Sequence, residues 1–235
     1  MRNTFGDILG DILFPHGTYC ILCGKFIDGS RTYDLCDHCI RHMNFQNTYI
    51  DCEYDFAMAS MGYGLYERRL IFNLKYDGKT YIARNIADIL YDSMYKELAE
   101  GRVCPLVEAD YIIPVPIHKN RLKHRGFNQS EKIAKHLGRK LGIPCECDAL
   151  GRLKETEAQR ALSKEDRQRN LTKAFCVHPM YKNKLKNSKI IVLDDIHTTG
   201  ATASACYEAL SECEPKKIYY LSLLFAGNKN HLMVE

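Results

Sequence analysis

Long apolar runs are missing from this chain. The longest, such as Ile190–Leu193 and Leu223–Ala226, span only a few residues, against the roughly 20 that a membrane-spanning helix requires. A secretory signal is not visible either, because Asp7 and Asp11 interrupt the first residues and no basic stretch precedes an apolar one. These absences predict no membrane span and a cytoplasmic location. There is no internal repeat and no low-complexity segment, which argues against a solenoid or a disordered tail. Disorder of the whole chain does not fit either, since 46% of residues are hydrophobic and 26% charged. The 235 residues suffice for one full α/β domain and a small appendage.

Cysteine, by contrast, is abundant. An odd total of eleven argues against a complete disulfide framework. Four of them form two C-x-x-C pairs, Cys20/Cys23 and Cys36/Cys39, with twelve residues between the pairs. Two such knuckles supply four thiolates for a tetrahedral Zn²⁺, and a site closed by four protein ligands is structural. His38 and His42 lie nearby but are not needed as ligands and are read as surface residues. The other seven cysteines (Cys52, Cys104, Cys145, Cys147, Cys176, Cys206, Cys213) are scattered and show no metal spacing. They are read as small buried hydrophobes.

The net charge of +4 is unevenly spread. Between Lys119 and Lys140 there are eight Lys or Arg and one acid, Glu131, an excess above that of the whole chain. Such a stretch attracts polyanions, whether a pyrophosphate or a nucleic acid. Lys132, Lys135 and Lys140 fit a solvated helix face equally well.

Periodicity predicts a short amphipathic helix over residues 3–13. Residues 56–76 read as strands leading into Leu70-Ile71-Phe72-Asn73-Leu74-Lys75-Tyr76, and residues 80–98 as a helix. From Tyr111 strands and helices alternate. The expected order is a strand at Tyr111–Val115, a basic loop, a helix from Gln129 to Leu141, and a possible strand at 143–147. A polar loop or frayed helix follows at 152–171. Then come strands at Ala174–Val177, Lys189–Asp194 and Lys217–Leu224, with a helix from Ala201 to about Glu212 between the last two. This alternation implies an α/β fold with a parallel sheet covered by helices on both faces.

Residues 190–202 carry the most chemistry. An apolar strand ends in Asp194 and Asp195, and a loop rich in hydroxyls (His197, Thr198, Thr199, Gly200, Ala201, Thr202) opens a helix. Ligands bind at the carboxyl ends of strands in such sheets, and backbone N–H groups at a helix start suit a phosphate. Gly200 permits close backbone approach. Two acids beside an anion site are explained if they accept hydrogen bonds from vicinal ribose hydroxyls.

The strand, the two acids and the T-T-G-x-T run resemble the signature of the type I phosphoribosyltransferases. The resemblance implies ribose contacts for Asp194 and Asp195, and a 5-phosphate held by Thr198, Thr199, Gly200, Ala201 and Thr202. It also implies 5-phosphoribosyl pyrophosphate as ligand, with Mg²⁺ bridging its oxygens. A second anion loop is expected at Ile113-Pro114-Val115-Pro116 and the following Arg121, Lys123 and Arg125, with Val115, Pro116 and these three cations as pyrophosphate contacts. The P-V-P and R-G-F-N-Q pieces and Lys75-Tyr76 resemble the ComF family of phosphoribosyltransferase-like competence proteins. So do the Arg152…Thr156…Gln159…Leu162…Arg167…Asn170 spacing and the four-cysteine module. In full, the expectation is a type I phosphoribosyltransferase-like domain over 51–235, preceded by a helix and a zinc-ribbon module over 1–50. Residues 152–171 would form a hood over the pyrophosphate.

The resemblance implies a role in DNA uptake and natural transformation, with a competence helicase and recombination proteins as partners. No catalytic base stands out. His197 occupies a position that the signature leaves free and is read as a bystander. The sequence therefore leaves two readings open, a phosphoribosyltransferase or a non-catalytic protein that binds single-stranded DNA or docks partners.

Overall fold

The structure is a computed structural model that describes residues 17–76, 79–152 and 174–227. The helix expected over 3–13 and the hood expected over 152–171, apart from Arg152, lie outside the described residues. So do Thr156, Gln159, Leu162, Arg167 and Asn170.

A five-stranded sheet organises the chain. Its strands are β1 (Thr48–Tyr49), β2 (Phe56–Gly62), β3 (Tyr111–Pro114), β6 (Lys189–His197) and β7 (Lys217–Phe225), in the order β1-β2-β7-β6-β3. All neighbours run parallel except β1, which pairs antiparallel with β2. A second sheet joins β4 (Leu150–Arg152) and β5 (Phe175–Val177) antiparallel. The strand expected at Ala174–Val177 therefore exists but does not belong to the parallel sheet.

The central strand β6 shows why these residues form a strand buried on both faces. Ile191 and Leu193 enter one apolar cluster, and Ile190 and Val192 enter the other. Period-two alternation between two cores produces an unbroken apolar run instead of an apolar-polar pattern. Two short helices, α1 (Asp37–Arg41) and α6 (Lys182–Leu185), lie in the cysteine segment and ahead of β6. The first cluster is capped by helices α2 (Leu65–Tyr76), α3 (Ile82–Ala99) and α5 (Gln129–Leu141). The second is capped by α7 (Ala201–Ser211) and the small sheet. Both faces of the parallel sheet are covered, as expected.

Three expectations are corrected. Residues 65–76 are helical, not strand. Glu67, Leu70, Ile71 and Leu74 are buried at i, i+3, i+4 and i+7, which is a helical stripe, while Leu65, Phe72 and Tyr76 are exposed on the remaining surface. The basic loop also contains a helix, α4 (Lys119–Arg125), which buries none of its residues. Residues 143–147 form only an isolated bridge, Ile112 with Cys145. This segment sits against α5 because Gly138 has no side chain. A Cβ there would lie 2.5 Å from the Ile143 carbonyl oxygen.

The four-cysteine segment shares the first cluster, since Cys20, Ile21, Leu22, Leu35, Cys36 and Cys39 are buried with Leu70, Leu74 and Ile86. The Asn73 amide donates to the Ile21 carbonyl at 3.0 Å and the Asn85 amide to Asp34 at 2.9 Å. The Asn44 backbone N–H donates to buried Glu67 at 2.6 Å. No helix among the described residues is long and apolar enough to cross a membrane.

Candidate functional site

Asp194 and Asp195 lie near the carboxyl end of β6, which runs past the expected end at Asp194 to His197, and both side chains are buried. Their partners differ. Asp194 Oδ1 accepts from the Asp195 backbone N–H at 2.8 Å, and the Tyr220 hydroxyl approaches Asp194 Oδ2 at 3.5 Å. Burial first, and then the charge of Asp195, push the Asp194 carboxyl well above the ordinary carboxylate range. Asp195 forms an ion pair with the Lys75 ammonium, and the Gln129 amide lies 3.5 Å from the same oxygen, Oδ2.

The loop beyond the acids leaves β6 after His197 and enters α7 at Ala201. Thr198 and Thr199 are exposed, whereas Gly200, Ala201 and Thr202 are partly exposed. Gly200 adopts φ +78° at the N-cap of α7, and no side chain caps that helix. Gly200 thus offers the first-turn amides no side-chain acceptor of its own, and such a helix start favours an anion. The His197 ring stacks on Phe225 at 5.7 Å and lies 3.5 Å from where a Gly200 Cβ would stand. The ring thus packs beside the start of the loop.

The second anion loop is brought partly to the same place. Pro114 pairs with Leu193 across β3 and β6, and the Val115 N–H donates to the Leu193 carbonyl at 2.9 Å. Val115-Pro116 thus lies beside the acids. The Asn128 amide donates to the Val115 carbonyl at 3.0 Å, and Asn128 also caps α5 by accepting from the Ser130 N–H. Arg125 donates to Gln129 at 3.1 Å and to the Tyr76 hydroxyl at 3.2 Å, over whose ring its guanidinium lies. Through Gln129, Arg125 belongs to the acid cluster. Arg121 and Lys123 are exposed on α4, where no contact ties them to that cluster.

A cavity of about 430 Å³ borders the site, lined by residues that include Arg68, Arg69, Phe72, Lys75, Tyr76 and Ile196. Phe72 and Tyr76 pack ring to ring at 4.8 Å and are 54% and 62% exposed. Lys75, Gln129 and Tyr220 had no role assigned from sequence. Lys75 and Gln129 stand inside short motifs, a usable signal, but Tyr220 reads as one more apolar position in a strand.

The four cysteines also meet. Their sulfur atoms all lie within 4.8 Å of one another, and Cys23 and Cys36 are 3.7 Å apart. A tetrahedral site with Zn–S bonds of about 2.3 Å places its sulfurs about 3.8 Å apart, so the donor set fits such an ion. The Gly24 N–H donates to the Cys20 carbonyl at 2.9 Å, forming the first knuckle. Cys20, Cys36 and Cys39 are buried, Cys23 is exposed, and His38 and His42 are exposed against Tyr66, as expected of surface residues. Among the scattered seven, Cys104, Cys206 and Cys213 are buried as expected, but Cys52, Cys145, Cys147 and Cys176 are partly exposed, and the sulfurs of Cys145 and Cys147 lie 3.5 Å apart.

No family model matches the chain. Competence protein F of Haemophilus influenzae is 33% identical over 149 residues, covering 63% of this chain and 63% of that protein. The DNA utilization protein YhgH of Escherichia coli K12 is 30% identical over 141 residues, 60% and 59% of the two chains. Competence protein ComFC of Bacillus subtilis is 32% identical over 101 residues, 43% and 38% of the two. The chain thus spans less than two thirds of each of these relatives. Among solved structures it is similar to a glutamine phosphoribosylpyrophosphate amidotransferase from Bacillus subtilis (TM-score 0.37, 17% identity, 60% of this chain and 25% of that one). It is also similar to the adenine phosphoribosyltransferase of Saccharomyces cerevisiae (TM-score 0.33, 19% identity, 66% and 73%). Over about 60% of its length, the chain is a homologue of Competence protein F and of YhgH, and over a shorter stretch of ComFC.

Proposed function

We propose that this protein binds 5-phosphoribosyl pyrophosphate at the carboxyl end of β6 and acts in DNA uptake, as a phosphoribosyltransferase-like protein. The observation that carries the reading is the start of α7 behind Gly200, an N-cap without a side chain, five residues beyond two buried acids. The 5-phosphate takes the backbone N–H groups of residues 198–202 with the threonine hydroxyls. Asp194 and Asp195 accept from the ribose hydroxyls. Val115-Pro116 and Arg125 lie on the side where the pyrophosphate extends. Lys75 exchanges its partner, leaving Asp195 for ligand oxygens once the ribose is seated.

Magnesium arrives with the ligand. In this reading Asp194 and Asp195 are taken up by the ribose hydroxyls, so a Mg²⁺ ion would rely mainly on ligand and water oxygens. There it would neutralise charge on the leaving pyrophosphate. The four cysteines would hold a structural zinc that braces residues 17–50 against α2 and α3, as a small N-terminal module ahead of the main domain.

The role in competence is supported by the similarity to Competence protein F and ComFC, and in this reading DNA, a helicase and recombination proteins are its candidate partners. A second reading, non-catalytic binding of single-stranded DNA, is favoured by one observation. The exposed Phe72 and Tyr76 stand beside Arg68, Arg69 and Arg125, and rings with cations suit stacked bases and their phosphates. The two readings separate by experiment. Release of pyrophosphate from the Mg²⁺ complex on adding candidate acceptors supports the transferase. Oligonucleotide binding that weakens steeply with salt and is lost in Phe72→Ala/Tyr76→Ala, without any turnover, supports the other.

A further inference from the structure

Outside the four-cysteine cluster, one pair of thiols stands face to face. Cys145 and Cys147, separated by Glu146, hold their sulfurs 3.5 Å apart, and both are partly exposed. A cysteine that serves only as a small hydrophobe is normally buried on its own, as Cys104 and Cys206 are. This pair is only partly buried, and its two thiols are in contact.

The backbone around the pair is fixed. The Ile112 N–H donates to the Pro144 carbonyl at 3.0 Å, and the Glu146 N–H donates to the Ile112 carbonyl at 2.9 Å. The Ile143 N–H donates to the Gly138 carbonyl at 2.9 Å, and Glu146 pairs with Lys184 at 2.6 Å. The sulfurs are therefore already neighbours, and a disulfide of about 2.0 Å requires each to move by less than an ångström. A bridge across a single intervening residue closes too small a loop to constrain the unfolded chain strongly. Such a bridge suits reversible exchange better than stapling.

We infer that Cys145 and Cys147 form a redox-active dithiol that exchanges with low-molecular-weight disulfides. The Cys147 thiolate attacks one sulfur of the external disulfide, forming a mixed disulfide and releasing one thiolate. The Cys145 sulfur then gives up its proton and attacks Cys147 Sγ, releasing the second thiol. The protein loses two hydrogens, and one disulfide becomes two thiols. Contact with Cys145 lowers the Cys147 thiol from its ordinary value, while that contact and burial raise Cys145, which makes Cys147 the first nucleophile. Lys135 faces the pair as the favourable charge, with Glu131 and Asp148 opposing it.

The test treats the zinc-loaded full chain with excess oxidised glutathione, followed by alkylation and peptide mapping. The expected result is a peptide holding Cys145 and Cys147 that is lighter by two hydrogens, resists alkylation and is restored by dithiothreitol. In Cys145→Ser the glutathione adduct should persist on Cys147. In Cys147→Ser, Cys145 should react at least about tenfold more slowly. Wild-type protein in which both thiols remain alkylatable, or carry separate adducts without a bridge, would overturn the inference. If a serine variant misfolds, the wild-type mapping alone still decides.

Discussion

Lys75, in the last turn of α2, closes its ammonium on the Asp195 carboxylate, two residues before the end of β6. The pair joins a helix of the cysteine-bearing face to the strand that carries the candidate ligand loop. Both side chains are largely buried, at 17% and 8% exposure, so the pairing matters in a way that a surface ion pair does not.

Removal of one partner leaves a buried charge without compensation. Lys75→Met should cost about 3 kcal/mol of unfolding free energy, read from urea denaturation at neutral pH. Asp195→Asn in the same chain should restore most of that loss. A single-variant cost under about 0.5 kcal/mol, the level of an ordinary surface substitution, would show that the pair contributes little.

Asp194 makes stability fall with rising pH. Burial and the neighbouring Asp195 raise its folded-state pKa above the unfolded value of about 3.9. The folded state therefore holds the proton more tightly. The contribution is full below the unfolded pKa and is lost as pH rises through the folded one. Asp194→Asn removes this dependence. It should be more stable than wild type at pH 8, by about 1.4 kcal/mol for every tenfold difference in proton affinity between the folded and unfolded chains, and should show no advantage near pH 4. Thermal melts across that range read the difference, and parallel pH profiles for the two proteins would contradict it.

The cysteine cluster is continuous with the main core, so metal loss should be felt beyond the knuckles. Cys36→Ser should lower bound zinc from one equivalent toward none and reduce the melting temperature of the whole chain. A chelator should act the same way on wild type, because metal binding to a folded site is also folding free energy. Metal analysis and calorimetry check both effects, and full zinc content in the variant would mean the ligands are wrongly assigned.

Gly200 stands at φ +78°, a left-handed conformation that a side chain disfavours by about 1–2 kcal/mol. Gly200→Ala should cost about that much stability and weaken phosphate-ester binding by at least about tenfold, as read by competition with ribose 5-phosphate. Unchanged binding would remove the loop from the ligand site.

Much of the fold was legible because its signals are local. The β6–loop–α7 unit can be read from one continuous stretch, where an apolar run, two acids and a glycine follow in order. Helix α5 announces itself by Ile133 and Leu137 at helical spacing, with Asn128 and Gly142 at its ends. Helix α2 misleads because Glu67 and Asn73 are buried while Leu65, Phe72 and Tyr76 are exposed, so its apolar residues trace no single face. Helix α4 has no buried face to announce it. The pairing of Lys75 with Asp195 and the approach of Tyr220 to Asp194 depend on strand order and on helix packing across the sheet, neither of which is encoded by spacing. Cys145 and Cys147 read as scattered because the contact of their sulfurs, which sets them apart from the other partly exposed thiols, depends on the local backbone and not on metal-ligand spacing.

Calorimetric titration of the purified protein with 5-phosphoribosyl pyrophosphate and Mg²⁺ tests the phosphoribosyl site most directly. The expected result is saturable binding that is lost in Asp194→Ala/Asp195→Ala while circular dichroism shows the variant still folded. Absence of binding by wild type, or equal binding by the folded double variant, would contradict it.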